Sequence, residues 1–117
     1  MISNETKGSV ISDDSRVCKS LMSKARGLMF KNRVEKPLVM IFPKSQVISL
    51  HMCFVFCPID VLFLDDGGRV VDLKPSFRPF TFYRSCQKAS YCIELPSGTI
   101  QQAGVETGDL IRIRDLL

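Results

Sequence analysis

His51, Cys53, Cys57 and Asp60 form the densest run of ligand-type and nucleophilic side chains in the chain. The first three share parity, so on one extended strand they would face the same way. An imidazole with two thiolates is a soft donor set suited to zinc or copper. A strand rises about 3.3 Å per residue, however, which sets Cys53 and Cys57 roughly 13 Å apart if the segment is extended. One ion cannot span that gap unless the chain bends sharply at Pro58, so no metal is expected. A Cys–His nucleophilic pair meets a related obstacle, because His51 and Cys53 would stand about 7 Å apart along the strand. Only a thiol from another strand, Cys86 or Cys92, could come closer.

The carboxylates divide by context. Asp60 follows Pro58-Ile59 and Asp109 follows Gly108, positions where a carboxylate accepts backbone N–H bonds and pins a turn. Glu94 lies between Ile93 and Leu95, so alternation turns it to the opposite face, toward water or an arginine. Convergence of Asp60 and Glu94 in a cleft would make an acid/base pair.

A different chemistry lies in Phe77–Arg84, where Phe77, Phe80, Phe82 and Tyr83 interleave with Arg78 and Arg84. Aromatic platforms with basic groups hold single-stranded nucleic acid, and loops of this kind also clasp small molecules or peptides. The plainer reading has the phenylalanines plugging one end of the core while the arginines reach outward.

The chain has 117 residues, a length that fits one domain, and its 45% hydrophobic and 24% charged residues exclude a disordered or fibrous chain. The net charge is +4, and residues 16–36 carry +6 while residues 69–88 carry +4. Two basic stretches on a slightly acidic remainder could meet phosphates or an acidic partner, or simply be solvated faces. No complete catalytic or cofactor motif is present, and no cofactor is expected. The five cysteines form an odd set without a CxxC pair, and the polar start lacks the apolar core of a secretory signal. No apolar run is long enough for a membrane helix. These features predict a soluble, cytoplasmic protein whose cysteines serve mostly as small hydrophobes.

The elements that must position these groups are short. Residues 1–8 read as a flexible tail, and Val10-Ile11 as the end of a first strand. Val17, Cys18, Leu21, Met22, Ala25, Leu28 and Met29 recur at helical spacing, predicting an amphipathic helix over about 15–27 that stops at Gly27. Beyond residue 37 the chain is rich in β-branched and aromatic residues and broken by proline. Asp65-Asp66-Gly67-Gly68 between two apolar runs predicts a β-hairpin. Residues 74–88 read as a long loop with a short extended piece, Tyr91–Leu95 as a strand, Thr99–Ala103 as one helical turn, and Leu110–Ile113 as a closing strand.

Several of these pieces stand in a familiar order: Arg26-Gly27-Leu28-Met29, Met40-Ile41-Phe42, Leu50-His51-Met52, Pro58 to Asp65, and Tyr91 to Gly98 leading into Gly104-Val105-x-x-Gly108-Asp109. Over about residues 8–114 the chain resembles the domain of unknown function 192 family. It departs from the commoner pattern in placing Leu50-His51 before Met52, where many members carry a tryptophan. The resemblance implies a compact, largely β, single-domain protein without an established reaction.

The expected fold is therefore mainly β (α+β), a compact antiparallel sheet curled into a barrel-like body with one N-terminal amphipathic helix. The expected function is a non-enzymatic ligand- or partner-binding module. Its contact residues would be Phe77, Arg78, Phe80, Phe82, Tyr83 and Arg84, meeting a small molecule, peptide or nucleic acid. The alternative is a small hydrolase or transferase built on Asp60, Glu94 or a cysteine such as Cys53, with His51 as base.

Overall fold

Six consecutive residues, Ile59–Leu64, are all buried, although the segment carries Asp60 among its aliphatic side chains. A strand whose successive side chains point to opposite faces can bury all of them only if both faces of its sheet are covered. That condition organises the molecule. The computed structural model describes residues 1–13, 16–18, 37–51, 58–78 and 82–113.

The strands are β1 (Ile2–Asn4), β2 (Ser9–Ser12), β3 (Arg16–Cys18), β4 (Leu38–Gln46), β5 (Ser49–His51), β6 (Ile59–Leu64), β7 (Val70–Phe77), β8 (Phe82–Arg84), β9 (Ala89–Pro96) and β10 (Ile111–Ile113), with helix α1 (Thr99–Ala103) before the last. The main sheet has the order β3-β4-β9-β6-β7, and two smaller sheets have the orders β10-β1-β2 and β5-β8. All named pairings are antiparallel except β3 with β4.

Each face of the main sheet carries its own core. On one side Leu38, Met40, Val61, Phe63 and Cys92 pack with Ile48 and Phe77. On the other, Val39, Leu62, Leu64, Ile93 and Leu95 pack with Ile2, Ile100, Val105, Ile111 and Ile113, which come from β1, β10, α1 and the turn after it. Apolar burial on this scale stabilises by roughly 1.5–3 kcal/mol for each large side chain.

Three expectations are corrected. The sheet does not close into a barrel among the described residues, because separate layers cover its two faces and leave β3 and β7 as opposite edges. Residues 1–8 are not a tail throughout, since β1 is the central strand of the β10-β1-β2 sheet and Ile2 is fully buried. The helix expected over about 15–27 does not include Arg16–Cys18, which pair in parallel with Leu38–Met40. There tertiary pairing overrides local helical spacing. Residues 19–27 lie outside the described residues, and α1 is the helix described.

The Asp65–Gly68 hairpin is as expected: Asp65 N–H donates to Arg69 O at 2.9 Å and Gly68 N–H to Asp65 O at 3.1 Å. The turn is sharpened by Asp65 Oδ1, which accepts N–H bonds from Gly67 and Arg69. No described helix is long and apolar enough to cross a membrane.

Candidate functional site

Asp60 spends both carboxylate oxygens on backbone. Oδ1 accepts from Ser76 N–H at 2.9 Å and Oδ2 from Ile100 N–H at 2.8 Å. Ser76 sits at φ 53°, a left-handed conformation unusual for a residue with a Cβ, where β7 bulges against β6. α1 has glycine at its N-cap and no local side-chain cap, so a carboxylate on β6 serves instead. Asp60 thus accepts backbone N–H bonds as anticipated, but from β7 and α1 rather than within a turn of its own.

Asp60 and Glu94 do not converge. The register pairs Asp60 with Leu95 and Val61 with Glu94, and directly opposed residues share a face. Asp60 therefore points to one side of the sheet with Leu95, and Glu94 to the other with Val61. Glu94 is buried, so of the two settings expected for it, water or an arginine, it does not face water. It sits on β9, flanked by β4 and β6 in a sheet covered on both faces.

His51 pairs in register with Phe82. The side chains of His51 and Phe82, and residues 52–57 with Cys53 and Cys57, lie outside what the structure describes, as does Phe80. Two thiols are described, Cys86 exposed and Cys92 buried. Burial pushes the Cys92 thiol well up, with the Glu94 charge adding to it. Partial desolvation, then the neighbouring Asp72 carboxylate, push Cys86 up. A thiol held protonated is a poor nucleophile.

The basic aromatic segment behaves differently along its length. Phe77 is a core residue, 1% exposed. Tyr83 is half-buried, its ring 5.8 Å from that of Phe63 and 6.3 Å from that of Phe77. Tyr83 O–H donates to Asp72 Oδ2 at 2.7 Å, and Cys86 N–H donates to the same oxygen at 2.9 Å. Asp72 Oδ1 takes the N–H of Leu73 at 2.8 Å. Desolvation would raise the Asp72 carboxyl, but these donors outweigh it and hold it below its ordinary range. Burial, followed by the bond to Asp72 and its charge, pushes the Tyr83 phenol up to about 12. Lys74 Nζ lies 5.5 Å from the Tyr83 ring centre, a cation–π contact. Around this knot Arg78, Arg84, Cys86 and Lys88 are exposed.

Sequence reasoning singled out Arg78, Tyr83 and Arg84, and Cys86 only as a candidate thiol, but missed Asp72 and Lys74, which contact Tyr83. One signal was available: Asp72 is the lone acid within residues 69–88.

The Gly104–Asp109 motif is a clasp. Asp109 Oδ2 accepts from Asn4 Nδ2 at 2.8 Å and from Glu106 N–H at 3.0 Å. Lys7 Nζ lies 2.8 Å from Glu106 Oε1 and 3.4 Å from Asp109 Oδ2. The turn-pinning expected of Asp109 is present, together with a partner 105 positions away that spacing could not indicate.

With this geometry in place, comparison with known proteins is informative. The family model for domain of unknown function 192, described as "Uncharacterized ACR", matches residues 2–113. A UPF0127 protein of Thermococcus sibiricus is 40% identical over 113 residues, which cover 95% of this chain and 73% of that one. The UPF0127 protein of Pyrococcus horikoshii is 38% identical over 114 residues, covering 96% of this chain and 97% of the relative. Among solved structures, a protein of unknown function from Novosphingobium aromaticivorans superposes with a TM-score of 0.78 at 19% identity, over 85% of this chain and 74% of that one. That likeness concerns the fold.

Proposed function

The chain belongs to the domain of unknown function 192 family, and from that premise we propose that it is a binding module, contacting an anionic ligand or partner through the basic face of residues 74–88. The observation that carries this reading is the Asp72–Tyr83–Cys86 knot. It ties β8 and the turn after it to β7 while Arg84 and Lys88 stay at the surface. Exposed cations on a braced frame are arranged to meet charge, and bracing lowers the ordering cost of binding.

The alternative, a small hydrolase or transferase, finds less support. Asp60 is committed to two backbone amides, Glu94 faces the other side of the sheet, and Cys86 and Cys92 are both held toward the protonated form. An enzyme of this class needs two such groups converging on one reacting atom.

Native mass spectrometry of protein purified from its own host tests the reading. An anionic species should copurify with the natural chain and be lost from the Arg78→Ala/Arg84→Ala variant. A species retained equally by both would remove the assignment to this face.

A further inference from the structure

We draw no further inference here: the strongest candidate, the side-chain cluster of Met40, Cys92 and Glu94 that strand register gathers on one face of β4 and β9, carries nothing further, because its single thiol is packed within the apolar core and nothing among the described residues points to a ligand there.

Discussion

Asp72 shows how one side chain can set the character of a surface. It accepts three hydrogen bonds, from Leu73 N–H, Tyr83 O–H and Cys86 N–H, and so ties β7 to β8 and the turn after it. Tyr83→Phe deletes one of those bonds at a half-buried position and should cost about 1–2 kcal/mol in chemical denaturation. The same pair gives a pH signature. Tyr83 is raised from 10.0 to about 12, so its share of stability is complete below pH 10 and is lost as pH climbs toward 12. Asp72 is lowered from 3.8, so its share is present above that value and is lost as pH falls through the depressed one. Ultraviolet titration of the phenol should show the high midpoint in the natural chain and a lower one in Asp72→Asn. Asp60 makes a sharper case. Asp60→Ala leaves the Ser76 and Ile100 N–H groups without their acceptor and should cost about 3 kcal/mol or more by denaturation.

At the scale of elements, the hairpin and the C-terminal turn depend on main-chain approach. Gly68 lies at φ +90°, and a Cβ there would stand 2.7 Å from Ile111 O, whose own N–H donates back to Gly68 O at 2.9 Å. Gly67, two positions from Asp65, would meet only Asp65 Oδ1, at an ordinary 3.5 Å. Gly68→Ala should therefore cost about 2–3 kcal/mol, while Gly67→Ala costs under about 1 kcal/mol, measured by thermal melting. Hairpin residue types alone would treat the two glycines alike. The clasp between the first hairpin and the Gly104–Asp109 turn has its own dependence. Desolvation would raise the Asp109 carboxyl, but Asn4, the Glu106 amide and Lys7 outweigh it and hold it below 3.8. Its stability is present above that value and disappears as pH falls. Asn4→Ala should shallow this acid limb and cost about 1–3 kcal/mol, since it removes a buried donor to a carboxylate.

For the whole molecule, covering both faces of one sheet separates structural chemistry from contact chemistry. Arg78→Ala/Arg84→Ala should melt cooperatively within about 0.5 kcal/mol of the natural chain, because neither side chain lies in either core. Loss of cooperative unfolding would mean the face is part of the framework. The strand-rich second half, the Asp65–Gly68 hairpin, the turn of helix at Thr99–Ala103 and the roles of Asp60 and Asp109 were all legible in residue order. The strands, the hairpin, the helical turn and the Glu106 N–H bond of Asp109 depend on contacts or conformational preferences within a few positions. The backbone partners of Asp60 and the Asn4 partner of Asp109, by contrast, stand 16, 40 and 105 positions away. The burial of Glu94, the opposite facing of Asp60 and Glu94, the pairing of Arg16–Cys18 with β4 and the Asp72–Tyr83 knot were not legible. They follow from strand order and register, which join residues far apart in sequence and decide which side chains share a face.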